Sequence, residues 1–334
     1  MLDDVRELEL WPSKLFDKYL EITEKEVKRL LIDSDKLVDV PCPACRCNQK
    51  KKAFKKYGLD YMECTNCKTL YLSPRPTAEQ IQKYFIESKA IKFWYSTIIK
   101  QTLKNRMVHQ SKPRAMWIAN LTEEYFQSPQ VFASINPISQ GFIEEIDHLN
   151  LFKTKILINP NIEIPKSFID REDFKIINCD FYKESNEINA NVVSALGNID
   201  RVFNPENFLK AARSFLCDDG LLFLTTSTIS GFDMQVLWNN SKSIFPPDRI
   251  NLLSIEGLTS LIEKSGFEII ELSTPGQLDV ELVKNAMQKN KKIKVNRFIS
   301  YMLNKREESA HYSFQKFLQQ FKLSSHVRIA ARKK

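Results

Sequence analysis

Two C-x-x-C pairs, Cys42 with Cys45 and Cys64 with Cys67, stand eighteen residues apart and constrain this chain more than any other feature. Each pair can turn as a tight knuckle that offers two sulfurs to one ion, and the stretch from Lys50 to Tyr61 is long enough for a hairpin between them. Four thiolates close a tetrahedron and leave no open coordination position, so the expected ion is a structural zinc rather than a catalytic one. Cys47 lies beside the first knuckle and reads as a bystander. Cys179 and Cys217 are isolated, and an odd total of seven cysteines suits metal-bound and buried thiols better than a disulfide framework.

A chain of 334 residues can carry such a small module beside one larger domain. The expected division is a helical lead-in over 1–40, a zinc ribbon over 41–76, a helical linker or cap over 77–128 and a main domain over 129–334 with a helical insertion at 279–322. Asp3, Asp4, Glu7 and Glu9 near the start do not form a secretory signal, and no apolar run approaches a membrane span. A soluble, cytoplasmic protein without membrane insertion is expected. The net charge of +8 gathers at Lys50–Lys56, Lys289–Lys294 and Arg332–Lys334, which read as solvated surface or as attraction for an anionic substrate such as a nucleotide-linked sugar. Lys50, Lys51, Lys52, Lys55 and Lys56, with Phe54 and Tyr57 as stacking groups, would make a nucleic-acid contact the less favoured reading.

Apolar spacing over residues 14–32 suggests one or two helices leading into the ribbon. Thr69 to Arg75 reads as a strand stopped by Pro74 and Pro76, and Thr77 as a helix N-cap. Helix is expected to continue over 90–127, interrupted near Pro113, with Pro129 as a boundary. Short apolar runs then alternate with helices, the pattern of a parallel sheet covered on both faces. Seven strands are expected, at 131–135, 155–158, 174–177, 191–195, 221–225, 268–272 and 326–330. Helices belong at about 139–149, 204–216 and 254–265, the last two ending on left-handed caps at Asp219-Gly220 and Gly266, and one or two more fill 279–322.

Several strings carry a resemblance: Leu72-Ser73-Pro74-Arg75-Pro76-Thr77 after the knuckles, Pro205 with Phe208-Leu209, Asp219-Gly220-Leu221-Leu222, Ser230-Gly231-Phe232-Asp233, Pro246-Pro247, Gly266-Phe267-Glu268, Thr274 through Val280, and Leu323-Ser324-Ser325-His326. Over nearly its whole length the chain resembles the class I S-adenosylmethionine-dependent methyltransferases, specifically a bacterial group with an N-terminal zinc ribbon that accompanies sugar and surface-polysaccharide biosynthesis. The resemblance implies an α/β fold with a Rossmann-like seven-stranded methyltransferase sheet. It also implies a cofactor at the carboxyl ends of the first strands, held by a glycine-rich turn and by an acidic residue on the ribose.

Four departures fall on those loops. The turn Ser134-Ile135-Asn136-Pro137-Ile138-Ser139-Gln140-Gly141 keeps one glycine where the family has three, and Asn159, in the turn that ends Pro160-Asn161, replaces the acidic residue. Asp200-Arg201 replaces a Glu-His pair, and Asp248-Arg249 follows Pro246-Pro247 where another histidine usually stands. An always-charged arginine cannot accept a proton as imidazole does. If the chain is an enzyme, Asn136, Ser139, Gly141 and Asn159 are its expected S-adenosylmethionine contacts, and Asp200 or Asp233 its candidate base, acting on a sugar or nucleotide-sugar acceptor. The alternative is a pseudo-methyltransferase that serves as scaffold or partner subunit of an intact paralogue. His109, His148, His311 and His326, and Trp94, Trp117 and Trp238, read as structural residues.

Overall fold

The computed structural model describes residues 5–32, 36–137, 139–160, 162–179, 181 and 188–334. Asp3, Asp4, Ile138 and Asn161, which figure in the sequence reading, lie outside the described residues. Helix α1 (Ser13–Val27) leads toward a small antiparallel sheet of β1 (Lys50–Lys56), β2 (Leu59–Cys64) and β3 (Leu70–Leu72). Thr77 caps α2 (Ala78–Glu87) by accepting from the Gln80 amide at 3.3 Å. The path from Lys89 to Tyr125 stays helical throughout. Pro113 does not interrupt it: a π-helical turn at Met107–Ser111 comes first, and Pro113 sits in the first turn of α3 (Lys112–Tyr125), where a missing N–H leaves no bond unmade.

Strands β4 (Val131–Ile135), β5 (Thr154–Ile158), β6 (Phe174–Ile177), β7 (Ala190–Leu196) and β8 (Leu216–Ser227) follow, with α4 (Gln140–His148) after β4 and α5 (Pro205–Ser214) after β7. Helix α6 (Phe232–Leu237), the short β9 (Asn251–Leu252), α7 (Ile255–Lys264) and β10 (Phe267–Ser273) come next. The chain closes with α8 (Asp279–Lys289), α9 (Arg297–Lys305), α10 (Glu308–Gln320) and β11 (His326–Lys333).

Seven strands form one sheet in the order β10-β11-β8-β7-β4-β5-β6. β4 to β8 are parallel, while β11 runs antiparallel to both β8 and β10. This is the Rossmann-like methyltransferase sheet expected from the sequence. The strand order reverses at β4 and β7, whose carboxyl ends open the crevice where such sheets place ligands. β4 and β7 are almost wholly buried, which is why they read as unbroken apolar runs.

Two expectations need correction, and one strand was not foreseen. The insertion before β11 holds three helices rather than one or two. Asp219-Gly220 is not a helix cap: α5 ends at Ser214, and Asp219 takes a left-handed φ of 58° inside the irregularity where the β7–β8 register shifts between Leu216 and Leu221. Gly266, at φ 86°, does end α7 as expected. Finally, β9 comes from the segment after Pro246-Pro247 and pairs with β3, so the main domain supplies the ribbon's fourth strand. Cys42, Ala44, Cys64 and Tyr71 accordingly share one hydrophobic core with Phe208, Leu258 and Phe267.

Candidate functional site

The ribbon's two knuckles repeat one geometry. The amide of Arg46 donates to the Cys42 carbonyl at 3.0 Å and that of Lys68 to the Cys64 carbonyl at 3.1 Å, and both donors take left-handed φ near 65° and 63°. The four sulfurs of Cys42, Cys45, Cys64 and Cys67 lie within 4.8 Å of one another, with the Cys42–Cys67 and Cys45–Cys64 pairs at 3.5 Å. A regular tetrahedron with metal–sulfur bonds of about 2.3 Å has edges of about 3.8 Å, so the donor set fits an ion of zinc's size. The shared hydrogen bond with Cys42 draws the Cys67 thiol down to about 4, and that bond, with burial, pushes Cys42 up. Four cysteine sulfurs gathered in this way could hold a metal ion as thiolates. Cys47 lies outside the cluster, its sulfur 3.8 Å from the Gln49 carbonyl.

The ribbon is bolted to the main domain at two places that the sequence reading missed. Ser254, the N-cap of α7, donates to the Cys67 carbonyl, and its amide donates to Thr69 Oγ1 at 3.2 Å. A Cβ on Gly257 would lie 2.6 Å from that Oγ1, so glycine permits the close approach. Arg75 is buried: Nε donates to the Leu72 carbonyl at 2.9 Å, and Nη1 to the Phe203 carbonyl and Asn251 Oδ1, both at 3.0 Å. Burial lowers its pKa to about 10. The ribbon lysines face carboxylates on their own small sheet, Lys51 with Glu63 at 3.1 Å and Lys52 with Asp60 at 2.8 Å. Phe54 is buried edge-on against Trp238, 5.4 Å between ring centres, rather than offered for stacking.

At the carboxyl ends of the sheet, Asn136 and Asn159 each follow a strand in the left-handed conformation, with φ of 42° and 47°. Their amides prolong the ladders, Asn136 to the Ile158 carbonyl at 2.8 Å and Asn159 to that of Ile177 at 2.9 Å. The Asn159 side chain is held at both ends: Nδ2 donates to the Cys179 carbonyl and Oδ1 accepts from the Cys179 amide, both at 2.9 Å. Ser139 caps α4, accepting from the Phe142 amide at 3.3 Å. Gly141 lies inside α4, and a Cβ there would sit 2.1 Å from Met107 Sδ, so this glycine admits a side chain of the π-turn. Asn198, also unforeseen, clamps the ends of β4 and β7 by donating to the Ile135 carbonyl at 3.1 Å and that of Leu196 at 3.2 Å. Arg114, Ser134, Pro137, Ser139, Phe142 and Leu196 line a small, partly open depression at the carboxyl ends of β4 and β7.

Among the described residues Arg114 has no hydrogen-bond or ion-pair partner, and burial, with Arg328 and Arg106 nearby, lowers its pKa to about 10. His326 opposes Ser227 at the end of β8, which brings it to the same end of the sheet. Burial, then Arg114, Arg328 and Arg249, holds it well below the usual histidine range, so it is a neutral imidazole. Asp200 pairs with Arg249 at 3.1 Å rather than with its neighbour Arg201, which binds Asp248 at 2.7 Å, while Arg249 also reaches Asp248 at 2.5 Å. The result is a compact set of two carboxylates and two guanidinium groups. Burial raises the Asp200 pKa although both arginines oppose it.

Asp233 lies elsewhere, in α6. Burial first, then Asp279, pushes its carboxyl well above the usual range. Asp279 accepts from Ser324 Oγ at 2.6 Å, the Ser325 amide at 2.7 Å and Gln315 Nε2 at 2.9 Å. A Cβ on Gly231 would strike Ser325, and one on Gly276 would strike Ser324. Three of the strings that carry the family resemblance thus meet in one packed junction. Among the described residues no hydrogen bond or ion pair joins Asp200 to Asp233.

A family model described as a methyltransferase domain matches residues 115–272, a little under half of the chain. An S-adenosylmethionine-dependent methyltransferase of Thermotoga maritima is 15% identical, with 76% of this chain and 99% of that one covered at a TM-score of 0.43. For an S-adenosylmethionine-dependent methyltransferase of Mesorhizobium loti the values are 9%, 66%, 98% and 0.38. For the chain named as methyltransferase in a Haloferax volcanii complex with the Trm112 methyltransferase activator they are 9%, 72%, 96% and 0.46. No curated protein matches the sequence. At such identities nothing about substrate or partner carries over.

Proposed function

We propose that this chain keeps the class I methyltransferase fold and a structural zinc ribbon but holds S-adenosylmethionine too weakly for efficient methyl transfer, and serves as scaffold or partner subunit of an intact relative. One observation carries the reading. The Asn159 amide, at the position where the family places its ribose-binding acid, is tied at both ends to Cys179 and offers a ribose no charged acceptor. Gly141 yields its space to Met107, so the first turn of α4 offers a sulfonium nucleoside less close backbone approach than a glycine-lined turn would. Association with sugar or surface-polysaccharide synthesis rests on the sequence strings alone. Zinc at Cys42, Cys45, Cys64 and Cys67 would fix both knuckles and, through Ser254 and β9, the loops of the main domain.

A second reading is slow methyl transfer to a sugar or nucleotide-sugar hydroxyl. Arg114 favours it, because an unpartnered guanidinium in the cleft can meet an anionic ligand group. Asp200 would then be the nearest candidate base, with Asn136, Ser139, Gly141 and Asn159 around the cofactor. Nucleic acid is disfavoured by the carboxylates that face the ribbon lysines. Titration calorimetry of zinc-loaded protein with S-adenosylmethionine and S-adenosylhomocysteine separates the first two. No measurable heat supports the scaffold, and micromolar binding returns the enzyme.

A further inference from the structure

The segment that holds α9 and α10 with its connections carries most of the chain's excess charge. Residues 289–322 hold nine Lys and Arg against two Glu, so seven of the net eight positive charges sit on about a tenth of the length. Unlike the ribbon lysines, these are barely matched: among the described residues the only ion pair reaching the segment is Arg6–Glu308 at 4.0 Å. The same segment is apolar outside. Phe298 is 63% exposed and Phe321 57%, and Phe317 and Leu323 are also exposed.

The exposure follows from how the helices pack. In α9, Leu303 and Ile299 face a small core with Val283 and Leu318, which turns Phe298, Tyr301 and Lys305, at i, i+3 and i+7, outward on the opposite face. In α10, Leu318 points inward and the Phe314, Phe317 and Phe321 rings pack in a row, 6.2 and 4.8 Å between centres. This row is a ridge whose ring faces are taken by one another. Tyr301 and Tyr312 are each covered by a cation at 5.0 Å, Arg306 and Lys316. Few open ring faces are left on which a nucleic-acid base could stack. A second copy is opposed by the charge, since a two-fold contact would set seven positive charges against seven.

We propose that this lobe docks on an anionic membrane surface, with Phe298, Phe317, Phe321 and Leu323 entering the headgroup–acyl boundary and Lys291, Lys292, Lys294 and Arg297 among the lipid phosphates. Exposed phenylalanines beside lysines are the pattern of interfacial helices, and juxtaposed basic residues strengthen attraction to anionic lipid. The contact lies at headgroup depth, because no helix of the described residues is long and apolar enough to cross a membrane.

The test is co-sedimentation of the full, zinc-loaded chain with phosphatidylglycerol-containing vesicles and with pure phosphatidylcholine vesicles. Binding is expected to the first, to weaken with salt and to be slight to the second. Lys291→Ala/Lys292→Ala/Lys294→Ala should weaken binding about a hundredfold, each lysine contributing about 1 kcal/mol near an anionic surface. Phe317→Ser/Phe321→Ser should weaken it at least about tenfold while leaving the salt dependence unchanged. Both variants alter exposed side chains, and unchanged melting curves would show that they fold. Vesicle binding that is absent, or indifferent to the lysines, overturns the proposal. So does tighter binding to a plain single-stranded oligonucleotide, or a dimer that the phenylalanine variant dissolves.

Discussion

In the ribbon, four side chains of one type, drawn from two turns, bring their sulfurs within 4.8 Å of one another, whereas at the sheet ends Asn136, Ser139, Gly141 and Asn159 each turn to a different neighbour. The ribbon's cysteines converge as the donor set of one metal ion would. In the cleft, Ser139 and Asn159 are bonded to neighbours and Gly141 is packed by Met107, while Arg114 beside them has no partner among the described residues. Four soft donors of one type converging on one point suit a metal ion, and polar side chains turned to separate neighbours offer a nucleoside fewer contacts.

The largest expected effect tests the converging half. Cys64→Ser, or stripping metal with a chelator, should cost on the order of 5 kcal/mol or more and loosen the β3–β9 pairing, while Cys47→Ser leaves the melting temperature unchanged. Equal effects from the two serine variants would remove the ribbon assignment. Next, Gly141→Leu should destabilise by about 1–3 kcal/mol, because a side chain of that size needs more room than a shift of the flexible Met107 thioether yields. Denaturant unfolding reads this directly, and a neutral result would reopen the glycine as a space kept for ligand.

A smaller effect concerns Asp233. Its pKa is raised in the folded chain, so its contribution is fully present below the unfolded value near 3.8 and is lost as pH rises through the folded value. Asp233→Asn removes that titration and can donate to Asp279. Relative to the parent, the variant should gain stability from mildly acidic to neutral pH, as melting across that range would show. A constant offset would mean that Asp233 is ionised throughout. Smallest is Asn159→Asp, which supplies the family's acid but cannot donate to the Cys179 carbonyl. A loss of about 1 kcal/mol is expected with no gain in S-adenosylmethionine binding, and tight binding in the variant would show that one side chain had closed the cleft.

The sheet was legible because strands buried on both faces, such as Val131–Ile135 and Ala190–Leu196, are continuous apolar runs with no competing period. The cysteine spacing likewise named all four members of the cluster. Asn251–Leu252 was not legible as a strand, because two residues have no period and the partner strand lies about 180 residues earlier in the chain. Arg46 and Lys68 hid the left-handed knuckle turns, which a glycine would have announced. The cleft was half legible. Pro137 and Asn159 marked the departures, but that Met107 fills the space over Gly141 depends on a π-turn that no local pattern reveals.

The most direct test is a crystal structure of the chain grown with zinc and a high concentration of S-adenosylhomocysteine. The account expects one tetrahedral metal among Cys42, Cys45, Cys64 and Cys67, with Asn159 still bonded to Cys179 and no nucleoside at the ends of β4 and β5. A nucleoside seated beside Asn136, with the Asn159 amide swung away from Cys179 to meet its ribose, would contradict it.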